Sequence, residues 1–391
     1  MKINLRTTPD GTRDLLFEEC VARRQVEGAL AEGFRLRGFS EVMTPGLEFY
    51  DMFASVADER DMYKLSDNKG RLLVMRPDST LPIARLVAAQ LQQAPLPIRL
   101  YYAQDVFHLN HGLYGHYDQE FQAGVELIGT CGLKADIETV ALAAESLRRA
   151  GAIDFRLEIG HIGIFRSLTE QLDCDQDCKE EIRDLIESKS YAALSDLLDR
   201  LPPSAAAEGI RRLPRLFGGA EVLQQARQLL PGQEAAAALE YLQQLYQALC
   251  QMGLEKQVQI DLGMVHRNEY YTGVIFRGYV AGSGETVVSG GRYDTLLARF
   301  GSALPAIGFG ISVDALCRVR LQSGCAVPPT VAQVLLFAPS GEEAAMYRRA
   351  EQLTQQGICC ECSVFDTLEQ SRAYALAKGI ASVEVIGEEK K

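Results

Sequence analysis

Residues 107–129 read FHLNHGLYGHYDQEFQAGVELIG. The second half alternates: Ala123, Val125 and Leu127 share one face of a strand by its two-residue period, and Gln122, Gly124 and Glu126 share the other. The first half is a polar loop containing Gly112 and Gly115, and the preceding stretch 98–107, IRLYYAQDVF, is again rich in β-branched and aromatic residues. Two such runs around a polar connection predict a hairpin. Its apolar face belongs to a core. On the opposite face an amide and a carboxylate, about 13 Å apart at their Cα atoms by strand rise, flank a glycine that leaves open floor between them. Side chains leaning over that floor would hold a small polar ligand, the carboxylate taking an ammonium or imidazole N–H. A solvent-facing strand surface fits the same pattern.

Three of the five histidines, His108, His111 and His116, lie on the loop. Their H-x2-H-x4-H spacing suits zinc only if one element holds them on one face, and two intervening glycines argue against that. They are read as solvated loop histidines, with no metal. Cys174 and Cys178 form C-x3-C without a second pair and read as a helix end. No G-x-S-x-G and no activated cysteine supports a nucleophilic triad, so no catalytic residue is assigned.

Outward from the hairpin, Val26, Leu30 and Phe34 closed by Gly38 mark an amphipathic helix, followed by a short strand around EVMTPGLEF. Residues of about 165–255 read as a helical insertion, with Leu239, Leu242, Leu245, Leu249 and Met252 forming one stripe that ends at Gly253. Strands return in VQIDLG, VIFRGYV, TVVSG and PAIGFGI, and a helix begins near Val313. After CAVPP, strand and helix patterns alternate as β-α-β-α-β with a parallel-sheet rhythm; Cys359, Cys360 and Cys362 are expected as small buried thiols in its ICCECSV strand. The expected organisation is a core over 1–325 and a small α/β domain over 326–391.

Composition is that of a globular protein, 47% hydrophobic and 24% charged. No run approaches the roughly 18 apolar residues of a membrane span, and MKINLRTTPDGTRD lacks a signal-peptide centre, so a cytoplasmic protein with reduced cysteines is expected. A net charge of −12 advertises no polyanion partner, and no nucleic-acid binding is expected.

Set in register, 107–126 resembles motif 2 of the histidyl-tRNA synthetases, F-R-x-E-R-P-Q-x-G-R-Y-R-x-F-x-Q-x-G-x-E. MRPDST (75–80) is similar to their L-R-P-E-G-T, NEYYTGVIF (268–276) to their L-D-Y-Y-x-x-T-V-F, and GGRYD (290–294) is shared. PAIGFGISVDAL resembles motif 3, while TPDGTRDLL and VMTPGLEF extend the likeness to the start of the chain. The resemblance implies an α+β fold of the class II aminoacyl-tRNA synthetase type: an antiparallel sheet core with flanking helices, dimeric through the motif 1 region. It also implies that Asp78, Thr80, Gln122, Glu126, Tyr270 and Tyr271 form a histidine-binding pocket.

The departures from the pattern are concentrated. His108 stands at the motif 2 arginine, Asn110 and His111 at the following glutamate and arginine, and G-R-Y-R reads GHYD. Motif 3 G-x-E-R has become Ser312, Val313, Asp314 and Ala315, and the arginine before the tyrosine pair is His266. Adenylation develops negative charge on the ATP α-phosphate, which fixed guanidinium groups stabilise best. Losing one such donor costs about 3 kcal/mol, and a histidine of pKa about 6.5 is a poor substitute. The tail also stops where the synthetases' anticodon-binding domain continues. Together these features resemble the regulatory subunits of ATP phosphoribosyltransferase, synthetase paralogues. That likeness implies no cofactor, a short-form catalytic subunit as partner, dimers within a hetero-oligomer, and feedback inhibition of the first step of histidine biosynthesis by histidine. A divergent active histidyl-tRNA synthetase, a nucleic-acid-binding regulator and a stand-alone transferase are the rival expectations.

Overall fold

The computed structural model describes residues 6–54, 59–110, 117–265, 270–324 and 328–387. The chain forms two compact units, Met1–Ala326 and Val327–Lys391. His111, His116, Gly112, Gly115 and His266 lie outside the described residues.

The first unit contains β1 (Ser40–Glu41), β2 (Leu47–Phe49), β3 (Lys64–Ser66), β4 (Leu72–Met75), β5 (Ile98–Phe107) and β6 (Gln119–Ile128). These are followed by β7 (Phe155–His161), β8 (Phe217–Gly218), β9 (Val258–Asp261), β10 (Val274–Val280), β11 (Thr286–Arg292) and β12 (Ala306–Ser312). Nine of them make one sheet in the order β1-β5-β6-β12-β11-β10-β7-β9-β8. Its centre is antiparallel, and β1–β5 and β7–β9 pair in parallel. The hairpin forms as the alternation predicts, with Phe107 opposite Gln119 and Ile98 opposite Ile128.

Ala123, Val125 and Leu127 are buried in the larger core beneath the helices Glu18–Leu36, Leu133–Arg149 and Val313–Gln322. The first helix buries Val26, Leu30 and Phe34, and Gly38 follows it with φ 80°. The second face of the sheet is not the solvent-facing surface that fitted the alternation. A separate apolar cluster, including Leu81, Ile83, Tyr102, Tyr271 and Tyr293, covers it, and Glu126 is only 2% exposed. Alternation reports which side chains share a face, whereas the cover comes from segments far away in sequence.

The insertion supplies helices from Ile162–Thr169 to Gln233–Leu249. Within it the two-residue β8 adds to the sheet edge at β9, a pairing too short to leave a periodic signal. Leu239, Leu242, Leu245 and Leu249 are buried as expected. Met252 is 52% exposed, because a wider helical turn over Cys250–Leu254 takes it off the stripe before Gly253 reverses the chain at φ 81°. EVMTPGLEF is likewise split: β1 ends at Glu41 and β2 starts at Leu47, with Pro45 and Gly46 between them.

In the second unit, β13 (Val334–Phe337) lies between β14 (Cys360–Cys362) and β15 (Ser382–Val385), all parallel, with helices Glu343–Gln355 and Leu368–Lys378 as crossovers. Cys359, Cys360 and Cys362 are half-buried rather than buried, since they lie on or directly before the edge strand β14. No helix among the described residues is long and apolar enough to cross a membrane.

Candidate functional site

The site is built on a patch of glycine. Register places Gly124 of β6, Gly308 and Gly310 of β12 and Gly291 of β11 in adjoining rows on the face that carries Gln122 and Glu126. A Cβ on Gly308 would collide with the Glu126 carboxylate, and one on Gly310 would sit 2.6 Å from Gln122 Cδ. The glycines of the neighbouring strand thus let both long side chains lie flat on the sheet.

The floor over Gly124 is not open, as the sequence suggested. Tyr102, paired with Gly124 across the hairpin, lies over it; an added Cβ would sit 2.6 Å from the phenol oxygen and would also strike the Phe309 carbonyl. Tyr102 donates to Gln122 Oε1 at 2.7 Å, fixing the amide.

Glu126 accepts from Thr80 Oγ1 at 2.8 Å on one oxygen and from the Tyr293 hydroxyl on the other. Thr80 starts the helix Thr80–Gln90, whose second backbone N–H, from Leu81, is bonded by Asp78 Oδ1 at 3.0 Å. Thr80 and Glu126 therefore meet, with Asp78 holding the helix end that presents Thr80, while Gln122 lies on the same face and is bonded to Tyr102. Tyr271 packs on Gly291, its ring centroid 4.8 Å from that of Tyr270, and Tyr270 stands edge-on to Tyr293 at 5.9 Å. Tyr102 and Tyr293 were not singled out from the sequence. The first could have been found by counting register back from Gly124, the second from its place in the shared GGRYD.

The electrostatics of this aromatic enclosure are unusual. Burial raises the Glu126 carboxyl to about 8, outweighing the two hydroxyl donors, and nearby Asp78, itself raised to about 6 by burial, adds to the effect. Among the described residues no cation pairs with Glu126. Asp136 shows the ordinary solution to a buried carboxylate: Arg292 donates to it from Nε at 2.9 Å, and the Tyr241 hydroxyl from the insertion adds a bond of 2.7 Å. Arg76 of MRPDST is no partner for Glu126, because it donates to the carbonyls of Thr44 at 2.7 Å and Pro45 at 2.9 Å and to that of Asp105.

A second cleft, of about 110 Å³, brings His108 and the motif 3 segment together. Its walls include Glu120, Glu285 and Asp314, against Arg318, which is ion-paired with Glu285. Ser312 caps the following helix through Ala315 N at 3.2 Å, and the Asp314 carboxylate is engaged by Phe121 N at 2.8 Å. Asp118, from GHYD, accepts from Tyr63 at 2.6 Å and from Asn110 N at 2.9 Å. Among the described residues, the pattern's arginine positions hold His108, Asp118 and Ala315, and the cleft beside them is acidic, its one guanidinium, Arg318, being ion-paired. His108 is exposed at its edge, and no cluster able to hold a metal occurs among the described residues.

Residues 11–316 match the family model for histidyl-tRNA synthetase. An ATP phosphoribosyltransferase regulatory subunit of Clostridium kluyveri is 38% identical over 96% of this chain and 98% of its own. The crystal structure of an ATP phosphoribosyltransferase regulatory subunit/histidyl-tRNA synthetase from Bacillus halodurans superposes with a TM-score of 0.85 at 29% identity, over 98% of this chain and 99% of that one. Histidyl-tRNA synthetase from Nostoc sp. PCC 7120, at 22% identity, shares the fold with a TM-score of 0.76 over 97% and 90% of the two chains.

Proposed function

Because the chain belongs to the ATP phosphoribosyltransferase regulatory subunits, a branch of the histidyl-tRNA synthetase family, we propose that it senses histidine for a separate catalytic subunit in the first step of histidine biosynthesis. One observation carries this reading: Glu126 is a carboxylate enclosed by tyrosines, with two hydroxyl donors and no cation of its own among the described residues. An uncompensated buried charge costs several kcal/mol, so the arrangement is complete only when a ligand brings the cation. Histidine carries an ammonium and an imidazole that can be protonated, and the tyrosine faces favour either cation. Histidine bound to Asp78, Thr80, Gln122, Glu126, Tyr270 and Tyr271, with Tyr102 and Tyr293 completing the walls, would bias the assembly toward its inhibited state. The coupling is reciprocal: ligands of the catalytic subunit must shift histidine affinity by the same factor.

The acidic second cleft supports a role without adenylation, because a triphosphate would face Glu120, Glu285 and Asp314, while the one guanidinium lining it among the described residues, Arg318, is already ion-paired with Glu285. The test is to purify the chain with a short-form catalytic phosphoribosyltransferase and assay the complex with and without histidine. Co-purification, histidine inhibition of the complex and no histidine-dependent ATP–pyrophosphate exchange by the chain alone are expected. Exchange at an ordinary enzymatic rate would establish the synthetase reading instead.

Self-association as a dimer is the second part of the proposal, and the three-stranded sheet β2-β4-β3 supports it. By register, Leu47, Phe49, Leu65, Leu73 and Met75 share its outer face, with Leu47 and Phe49 each 50% and Leu65 40% exposed. An apolar sheet face of this kind on the motif 1 segment suits a second copy of the chain. Phe49→Glu is expected to shift the chain from dimer to monomer in analytical ultracentrifugation, with the fold retained; an unchanged dimer would place the interface elsewhere.

A further inference from the structure

On the same sheet face as Glu126 but four strands away, about 19 Å by strand spacing, the sheet and the insertion enclose a cavity of about 410 Å³. Its walls carry Glu158 of β7, Asp261 of β9, Arg277 of β10, and Glu187 and Lys189 from the end of the insertion helix Gln176–Glu187. Nothing in the proposed histidine sensing uses these residues.

The charges are sorted by kind of partner. Glu158 and Asp261 sit on neighbouring strands close enough to repel each other, so their pair accepts donors. Arg277 donates to the Val265 carbonyl at 3.0 Å and lies 3.6 Å from Glu187, leaving further guanidinium N–H groups. The Lys189 ammonium has no hydrogen bond or ion pair among the described residues, and its charge reaches both Glu158 and Asp261. The acidic groups do not converge as a metal site does, and the two cations would repel a ligand carrying positive charge alone.

We propose that this cavity is a second ligand site, for a free α-amino acid whose ammonium meets Glu158 and Asp261 and whose carboxylate meets Lys189 and Arg277. A single small metabolite fits a volume at the lower end of the range for ligand cavities. Tyr191 and Phe217, 45% and 44% exposed at the wall, leave room beside them for its side chain.

The test uses the full chain carrying Glu126→Gln, which disables the first site, and titrates each of the twenty L-amino acids by calorimetry. At least one is expected to bind, and Asp261→Asn should weaken it at least tenfold. Lys189→Gly is the control for folding: Lys189 holds φ 55°, which glycine adopts without strain, so this change should raise the melting temperature while weakening binding at least tenfold. The amine made by removing the ligand's carboxylate should bind at least tenfold more weakly than the amino acid. The proposal is overturned if no amino acid binds the Glu126→Gln chain, if binding ignores both Asp261→Asn and Lys189→Gly, or if the decarboxylated amine binds as well. None of these outcomes bears on histidine binding by the unaltered chain at Glu126.

Discussion

Glu126→Gln is expected to weaken histidine binding at least a hundredfold, about 3 kcal/mol, and with it the inhibition of the assembled enzyme. Glutamine keeps the length of the side chain and an acceptor for Thr80 or Tyr293, so the loss isolates the charge. The same variant reveals the proton on this group. With its carboxyl at about 8 in the fold and 4.5 in a free side chain, Glu126 is mostly protonated at pH 7 and ionises when a cation is delivered. Histidine binding at pH 7 should therefore release close to one proton from this group, read as a dependence of the calorimetric heat on buffer ionisation enthalpy.

The sign for stability runs the other way from the usual carboxylate. A raised carboxyl contributes stability fully below about 4.5 and loses it as pH rises through about 8, because only the unfolded chain ionises freely in that window. The unliganded protein should lose on the order of 5 kcal/mol from this one group between those limits. Glu126→Gln should lack that component, so its unfolding midpoint should exceed that of the parent at pH 8–9 by more than at pH 5. Parallel pH profiles for the two proteins would mean that Glu126 is ionised in the free chain and that the missing-cation argument fails.

How much of this was legible in the sequence follows from the range of each interaction. Alternation over 119–128 gave the hairpin and its apolar face, because both depend on neighbours within the strand. The glycines at 308 and 310 are visible in PAIGFGI, but their purpose depends on β12 lying against β6, which no local pattern specifies. Both partners of the Glu126 carboxylate are remote, Thr80 by 46 residues and Tyr293 by 167. The likeness to the synthetases pointed to Asp78, Thr80, Gln122, Glu126 and the tyrosine pair, and it matched GGRYD without assigning roles within it. Residue matching transfers positions, but that no cation pairs with Glu126 among the described residues is a property of the assembled site.

GGRYD leads to the second large effect. Asp136→Ala is expected to destabilise the first unit by about 3–5 kcal/mol, because it leaves the buried Arg292 guanidinium with only the partly exposed Asp294 at 2.8 Å and the Thr130 carbonyl at 3.2 Å. The side chain of Asp136 is fully buried, and it joins three segments: its own helix Leu133–Arg149, Arg292 at the end of β11, and Tyr241 of the insertion helix Gln233–Leu249. Tyr293, the next residue after Arg292, reaches Glu126, so a shift of Arg292 moves one of the two hydroxyl donors on the Glu126 carboxylate. Histidine affinity should therefore fall together with stability, although Asp136 is not placed to touch the ligand. The double change Asp136→Leu with Arg292→Met separates the two effects. Removing both charges should recover much of the lost stability, as buried ion pairs often exchange for apolar packing at little net cost. Affinity should recover only if Tyr293 returns to Glu126. Urea unfolding midpoints and histidine titrations on the three proteins decide the matter, and an Asp136→Ala loss below about 1 kcal/mol would show that the pair neither anchors β11 nor couples the insertion to the site.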